Sequence, residues 1–504
     1  MARRSALALV AAAAVGLTAC GDQAIFSPVA PATAIISESG SGLAGRYLVG
    51  FADQAVISPD VLAAAGGRII DSIPALHVLV VDGVTNPDAL RDAQPSFIDA
   101  GFDVNIDPIR DLSTLGELAQ VVEGQENTPW VKSGVLWGMK TIHAEDAWAR
   151  TSGGLGVNVC IVDTGVDDRH QELNGGKVIM RANFVPSPAT APGSEDRVDD
   201  PNGHGSHVSG TVAARGVVIS GVAPRASIMG ARVLSTAGSG SETWIINGIN
   251  WCVANGAHVI NMSLGGARYR AFASYQASQV AYGTAIKNAN DAGVVVITSS
   301  GNSNLRLPNP VQATVPAQIP GAISVGATGP LSKSTAPAAP AWNPFDPSQV
   351  WRSVDRKAYY SNFGTGVAVF APGGRGGIPL SEIYRVVGGV GQGGPYDQIF
   401  SICSSNTAQN GPANSGGVPS GSATCKDDFT RYIAYAGTSM AAPHVSGLAA
   451  ILYGELGAAR SASNRARVES CIRNTTDYIG ASTTYGGGRI NVTRAIDGLR
   501  NNSC

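Results

Sequence analysis

Two patterns of apolar residues divide the chain, and the change between them falls near residue 144. In residues 46–108, short apolar runs and polar gaps alternate as strand, helix, strand, strand, helix, strand. The predicted strands lie at 46–51, 68–70, 77–81 and 102–104, and the predicted helices lie at 59–65 and 87–93. This βαββαβ order predicts a small α+β domain of the ferredoxin-like, split-βαβ type.

Residues 144–498 alternate longer apolar runs with helical patterns. These runs do not alternate apolar and polar residues, as strands of a sheet with one solvent-exposed face would. They lie at 157–162, 227–234, 258–262, 294–297 and 323–327. Helical periodicity lies between them, for example at 243–254 and 275–292. The pattern predicts an α/β domain whose mostly parallel sheet lies between two helical layers. Two stretches rich in Gly, Pro and Ser, about 329–350 and 373–424, are predicted to be surface insertions.

The N-terminus has the pattern of an export signal. Two arginines precede an apolar run at 6–17, which is too short to span a membrane, and small residues then lead to Cys20. This pattern resembles a bacterial lipoprotein signal, which predicts a signal peptide over 1–19 and lipid attachment at Cys20. The alternative is an ordinary secretory signal in which Cys20 is incidental. Residues 20–45 are predicted to be a flexible tether, and residues 109–143 a linker.

Composition narrows the class of function. Hydrophobic residues make up 44% of the 504-residue chain, so a sizeable core is expected. Lys plus Arg number 35 against 37 for Asp plus Glu, so no basic field for nucleic acid exists. We expect no transmembrane helix, and membrane contact only through a lipid at Cys20.

Seven cysteines agree with export, and six remain without Cys20. Short loops favour the pairs Cys403–Cys425 and Cys471–Cys504. Cys160 and Cys252 lie in apolar segments, which leaves open whether they pair or are buried thiols.

Three segments carry residue types that catalyse together, at positions where a parallel α/β sheet holds its site. Asp163 ends the first apolar run, His204 lies in a Gly-rich turn leading into a helix, and Ser439 opens a later helix. Serine is a weak nucleophile unless a base is adjacent. An imidazole takes the serine proton, and a buried carboxylate fixes the imidazole tautomer. A helix N-terminus favours the developing negative charge near Ser439.

The order Asp, His, Ser is that of subtilisin, and the surrounding sequence resembles the subtilase family. The resemblance rests on DTG at 163–165, HGSHVSG at 204–210 and GTSMAAPH at 437–444. Residues 244–266 are similar to the substrate-groove region of Bacillus subtilisins, and residues 46–108 resemble the family's inhibitory propeptide, which is also a folding chaperone. The resemblance implies a subtilisin-like three-layer domain, preceded by a small ferredoxin-like propeptide domain, with serine endopeptidase activity.

The resemblance also implies roles for single residues. Asp163 would orient the base, His204 would act as general base and acid, and Ser439 would attack the peptide carbonyl. The side-chain amide of Asn302 and the backbone N–H of Ser439 would hold the oxyanion. The implied substrate-binding residues are Gly238, Ser239, Gly240, Ser263, Leu264, Gly265, Ser299, Ser300 and Gly301.

Partners and cofactors follow from the same resemblance. We expect polypeptide substrates, a propeptide at 46–108 that inhibits its own chain, self-cleavage within 109–132, and a monomer outside the cytoplasm or in the cell envelope of a bacterium. No cofactor and no metal-binding residue is predicted. A structural calcium ion stays open, although Ala368 stands where members similar to proteinase K carry a calcium-binding Asp. Asp199 and Asp200 are interpreted as solvated loop residues.

Two other functions are alternatives to a protease. One is a catalytically silent binding protein on a subtilase fold, against which the intact set of Asp163, His204, Ser439 and Asn302 argues. The other is an esterase of the α/β-hydrolase type. That fold requires a Gly-x-Ser-x-Gly turn and the order Ser, Asp, His, and neither surrounds Ser439.

Overall fold

The computed structural model describes ten segments of the chain. They are residues 47–50, 56–73, 78–93, 97–100, 128–186, 198–330, 355–374, 398–407, 410–415 and 418–504. The predicted signal peptide, the lipid site at Cys20, the tether and residues 109–127 lie outside these segments.

A four-stranded antiparallel sheet forms the N-terminal unit. Its strands are β1 (Tyr47–Gly50), β2 (Arg68–Ile73), β3 (Val78–Asp82) and β4 (Phe97–Ala100), in the order β2-β3-β1-β4. Helix α1 (Pro59–Ala65) begins where the Ser58 side chain accepts the Val61 N–H, and a 3-10 helix spans Pro87–Ala93. The order is the predicted βαββαβ order. The last strand lies at 97–100, and the predicted strand at 102–104 lies outside the described residues.

The larger unit is built on an eight-stranded sheet in the order β13-β12-β10-β8-β5-β7-β6, with β14 also beside β12. These strands are parallel except β13, which runs antiparallel to β12. Three smaller antiparallel pairs, β9–β11, β15–β18 and β16–β17, lie outside it. The bounds are β5 (Asn158–Asp163), β6 (Val178–Asn183), β7 (Ser227–Arg232), β8 (Val259–Met262), β9 (Gly266–Tyr269), β10 (Val295–Ser299), β11 (Gln312–Val315), β12 (Ala322–Pro330), β13 (Asp355–Lys357), β14 (Val369–Pro372), β15 (Ile399–Ile402), β16 (Asn410–Ser415), β17 (Val418–Thr424) and β18 (Tyr432–Tyr435).

Helices cover both faces of this sheet. They are α2 (Pro129–Lys132), α3 (Trp137–Thr141), α4 (Glu145–Trp148), α5 (His204–Ala213), α6 (Glu242–Ala254), α7 (Ala273–Asp291), α8 (Thr438–Glu455), α9 (Ala462–Asn474), α10 (Ser482–Tyr485) and α11 (Val492–Arg500). Because strand side chains alternate between faces, β5 contributes to two cores. Val159 and Ile161 pack in the core shared with α5 and α8, whereas Cys160 and Val162 pack with α6 and α7. The predicted three-layer α/β fold is therefore confirmed.

Two segments predicted to be peripheral lie in the core. Trp130 and Trp137 are buried, and the Trp130 ring packs 5.2 Å from that of Phe400. The prediction of a linker is therefore wrong for residues 128–143. The prediction of a surface insertion is likewise wrong for residues 398–407, because β15 is buried and pairs with β18. Their short apolar runs stand among Gly and Ser residues, which hid the burial in the sequence pattern.

Three disulfides occur in the described structure. Cys403–Cys425 and Cys471–Cys504 join the pairs that loop length favoured. Cys160 and Cys252 also pair, with 5.9 Å between their Cα atoms, so the alternative of buried thiols is wrong. This bridge ties the strand that ends at Asp163 to helix α6.

Among the residues that the structure describes, no helix has the length and apolar character needed to cross a membrane.

Candidate active site

Asp163 and His204 form a buried pair at the end of β5 and the start of α5. His204 Nδ1 lies 2.7 Å from Asp163 Oδ1, and both side chains are fully buried. An ionised carboxylate only accepts hydrogen bonds, so Nδ1 carries the proton, and Nε2 of the neutral imidazole is an acceptor. Nε2 is buried and has no hydrogen-bond partner among the described residues. The pair therefore presents a base whose tautomer is fixed and whose accepting nitrogen is unused.

Asp200 fixes the turn that leads into His204. Its carboxylate accepts the N–H of Gly203 at 2.7 Å, the N–H of Ser206 at 2.8 Å and the Thr164 hydroxyl at 2.8 Å. Burial raises the pKa of Asp200, and the bonds from Gly203 and Ser206 oppose that rise. Asp200 is fully buried, so its interpretation as a solvated loop residue is wrong. The carboxylate instead caps the first turn of α5.

Gly205 allows α5 to begin directly against the turn after β5. A Cβ at this position would lie 2.2 Å from the Gly165 carbonyl oxygen, far inside van der Waals contact. Its backbone N–H donates to the Thr164 hydroxyl oxygen at 2.9 Å. Only glycine permits this approach, which sets His204 next to Asp163.

Ser439 lies in the first turn of α8 and exchanges two hydrogen bonds with Ser263. The Ser439 hydroxyl donates to the Ser263 carbonyl at 3.0 Å, and the Ser263 hydroxyl donates to the Ser439 carbonyl at 2.7 Å. Pro443 explains the second bond, because it has no N–H to give to the carbonyl four residues earlier. Among the described residues, the partner of Ser439 Oγ is thus Ser263 rather than His204.

Two residues that the sequence did not single out extend this contact. The Asn261 amide donates to Ser263 Oγ at 2.9 Å, and the Ser446 hydroxyl donates to Asn261 Oδ1 at 2.8 Å. All of these side chains are buried. Strand β8 and helix α8 are therefore joined by polar bonds directly beneath Ser439.

Asn302 is oriented by Thr438. Its Oδ1 accepts the Thr438 backbone N–H at 2.8 Å and the Thr438 hydroxyl at 2.8 Å. A backbone N–H can only be accepted by the oxygen of an amide, so Nδ2 is the end directed away from Thr438. Asn302 and Ser439 line one cleft. The Asn302 amide donor and Ser439 thus border the same cleft.

The cleft gathers most of the predicted substrate-binding residues. Its lining includes Ser263, Leu264, Gly265, Ser299 and Gly301, and also Gly266, which ends the predicted groove region at 244–266. Four further lining residues were not singled out in the sequence: Ala267, Ser303, Thr314 and Asn362.

Four predicted substrate-binding residues do not line this cleft. Ser300 donates its backbone N–H to Val325 in the neighbouring strand at 2.9 Å. Gly238, Ser239 and Gly240 lie in a turn in which the Ser235 N–H donates to the Ser239 carbonyl at 2.7 Å.

Asn362 shapes the floor of the cleft. Its amide donates to the Ser300 carbonyl at 2.7 Å, and its oxygen accepts the N–H groups of Ser303 at 3.2 Å and Leu305 at 2.8 Å. A Cβ on Gly301 would lie 2.6 Å from the Asn362 amide nitrogen. No spacing in the sequence links Asn362 to residues about sixty positions earlier, so only the fold reveals it.

Two further histidines near the pair are packed rather than reactive. His207 Nε2 lies 2.9 Å from the Ile399 carbonyl, and its ring stacks 4.6 Å from that of Tyr435. Burial, assisted by the nearby His204, lowers the pKa of His207 to about 3. Burial also lowers the pKa of His444 to about 4. Both rings are therefore neutral at physiological pH.

A buried carboxylate–imidazole pair and a serine in the first turn of a helix are groups that serine hydrolases use. The chain matches the model of the subtilase family over residues 154–488. Subtilisin NAT from Bacillus subtilis subsp. natto is 31% identical over 393 residues, 77% of each chain. Subtilisin from Bacillus pumilus is 32% identical over 367 residues, 72% of this chain and 98% of its own. This chain belongs to the subtilase family and is a serine-type endopeptidase.

Solved structures share the fold. The epidermin leader peptide processing serine protease (EpiP) from Staphylococcus aureus has a TM-score of 0.63 and 20% identity, covering 90% of this chain and 98% of its own. Fervidolysin from Fervidobacterium pennivorans, a keratinolytic enzyme related to subtilisin, has a TM-score of 0.61 and 22% identity, covering 92% of this chain and 62% of its own. At these identities the likeness concerns the fold alone.

Proposed function

We propose that this subtilase hydrolyses peptide bonds through an acyl-enzyme formed on Ser439. His204 Nε2 takes the serine proton as Oγ bonds to the substrate carbonyl carbon, and Asp163 stabilises the imidazolium. The carbon–nitrogen bond then breaks, and the proton passes from His204 to the leaving amine. Water, deprotonated by the same imidazole, then bonds to the acyl carbon, and the bond to Oγ breaks as the proton returns from His204 to Ser439, which releases the acid. The observation that carries the proposal is the buried 2.7 Å contact of His204 Nδ1 with Asp163, which leaves Nε2 as an acceptor.

A covalent probe tests this function against that of a silent binding protein. A fluorophosphonate reacts only with a serine hydroxyl that an adjacent base activates. We expect one adduct, located on Ser439 by mass spectrometry of the digested protein, and no adduct in a His204→Ala variant. A folded protein in which Ser439 stays unmodified would contradict the proposal and favour a catalytically silent binding protein.

We further propose that Asn302 and the Ser439 N–H hold the oxyanion. Asn302→Ala is expected to lower kcat about 10²–10³-fold with KM nearly unchanged, which is the loss known for subtilisin's own Asn. Steady-state kinetics on a peptide anilide measure it. Asn309→Ala, outside the cleft lining, is the matched control. A rise in KM at constant kcat would contradict this role.

We also propose that the chain is an exported precursor that its own propeptide inhibits. In support, the small sheet lies against the larger domain: β2 contacts α6 and β4 contacts α7. Val80 of β3 is 3% exposed and belongs to the same apolar core as residues of α6 and α7. The sequence from 1 to 45, with Cys20, would direct export and carry a lipid, and cleavage would detach the enzyme from it.

Self-cleavage is a testable part of this proposal. Because Trp130 is buried, we place the cleaved bond before residue 128, within 109–127. The Ser439→Ala precursor, purified alone, is expected to keep its full mass, whereas the unaltered precursor shortens. Added active enzyme should cleave the variant, which shows that the bond is accessible. Intact-mass measurement and N-terminal sequencing follow the two precursors. If the Ser439→Ala precursor shortens without added enzyme, self-cleavage is excluded.

A further inference from the structure

A buried ion pair stands beside the cleft and has no part in the chemistry described above. Arg268 Nη2 lies 2.7 Å from Glu242 Oε1, with 11% and 2% of the two side chains exposed. Ser278 completes the group: its hydroxyl lies 2.8 Å from Glu242 Oε2 and 3.4 Å from Arg268 Nε. The group therefore joins three elements, the start of α6, the middle of β9 and the body of α7.

The position of Arg268 ties the pair to the wall of the cleft. Arg268 directly follows Ala267, and Thr314 is opposite Ala267 in the β9–β11 register. Ala267 and Thr314 both line the cleft, as does the segment from Ser263 to Gly266 that leads into β9. Any shift of the Arg268 backbone is thus a shift of this wall.

The position of Glu242 ties the pair to the second segment implicated in substrate binding. Glu242 is the first residue of α6, and the preceding Ser241 caps that helix by accepting the Trp244 N–H at 3.2 Å. The turn that contains Gly238, Ser239 and Gly240 ends immediately before this cap. The ion pair therefore spans from one proposed substrate-binding segment to the other.

We propose that the Glu242–Arg268 pair positions these two segments for extended polypeptide substrates; the inference rests on the proposed function. A substrate that binds as an extended strand between these two segments needs a fixed distance between them, because hydrogen-bonded strands lie about 4.8 Å apart. Two unpaired loops would not hold that gap, whereas a buried pair has one favourable geometry and leaves an uncompensated charge when broken. The pair acts on the binding of long substrates and not on the bond that reacts.

The test compares two substrates on one variant. Glu242→Gln is expected to raise KM about tenfold for an internally quenched peptide of eight residues, with kcat within about twofold. Hydrolysis of a single-residue acyl ester and the rate of fluorophosphonate labelling should not change, because neither reagent carries a peptide strand that must fit between the two segments. Asp477→Asn, which breaks the 2.7 Å Arg489–Asp477 pair away from the cleft, is the matched control and should leave both substrates unaffected.

A double variant guards against a fold defect. Glu242→Leu with Arg268→Leu removes both charges, so it should recover the melting temperature that Glu242→Gln loses but keep the raised KM. Three outcomes would each overturn the positioning role. Glu242→Gln could lower the activity on the peptide and on the ester equally, or leave KM for the peptide unchanged. The double variant could also recover the KM of the unaltered enzyme. If the unaltered enzyme cleaves neither substrate and takes no label, the proposed function fails, and this inference falls with it.

Discussion

Ser439→Ala should abolish peptide hydrolysis, with a loss in kcat of about 10⁶-fold. This loss is the one known for subtilisin, a relative of this chain. The physical reason is that alanine leaves His204 Nε2 with no proton to take and the substrate carbonyl with no nucleophile. Casein and peptide anilide assays on purified variant and parent measure the loss. Ser463→Ala, at the exposed start of α9, is the matched serine control.

A second variant makes this prediction stricter. If Ser439 and His204 act as one unit, His204→Ala should lose nearly as much activity, and the double variant should lose no more than either. Losses that multiply would mean that the two side chains act independently. The buried contact of His204 with Asp163 would then be only structural.

The unfolding free energy should fall steeply between pH 7 and pH 5. Burial holds the pKa of His170 at about 4, of His207 at about 3 and of His444 at about 4, whereas the unfolded chain binds these protons near pH 6.5. Lowered pKa values mean that the stabilisation is complete above pH 6.5 and is lost as the pH falls towards 4. Each histidine then contributes about 2 kcal/mol of loss by pH 5, or about 6 kcal/mol together.

Urea unfolding of the Ser439→Ala protein at pH 7, 6 and 5 checks this expectation without self-digestion. His444→Gln in that background should reduce the pH dependence by about a third, because one titrating ring is removed. Staying above pH 5 keeps the carboxylates from dominating the change. A free energy that stays constant across this range would show that these rings are not held neutral.

The sequence predicted those parts of the site that lie in continuous segments. Asp163, His204 and Ser439 each stand in a short block whose residue types match the chemistry. Of these, Asp163 and His204 are in contact in the structure, and the role of Ser439 stays a prediction. The apolar runs likewise predicted β5, β7, β8, β10 and β12, because burial on both faces leaves a local trace.

The remaining site residues depend on contacts between distant positions. Ser446 and Asn261 are 185 residues apart and meet only because α8 packs over β8. Asn362 gives no local signal, since buried amides and solvated loop amides look alike in a sequence. Hydrophobic periodicity reports burial but not hydrogen-bond partners, so it could not identify them.

The missed core segments have a related cause. In residues 398–407, apolar side chains such as Phe400 stand between serines that are themselves buried and hydrogen-bonded. Ser401, for example, donates to the His207 carbonyl at 2.6 Å. Such residues are typical of exposed loops in composition alone, and only their partners show otherwise.

Pro443 has a wider consequence for how the nucleophile moves. Because the helix gives up an internal bond there, its first turn is bound to the end of β8 through the Ser439–Ser263 exchange. The cleft wall at Ser263 and the Ser439 side chain are thereby tied by two hydrogen bonds, so a displacement of one is transmitted to the other. The absence of one backbone N–H at Pro443 thus couples the position of Ser439 to that of the cleft wall at Ser263.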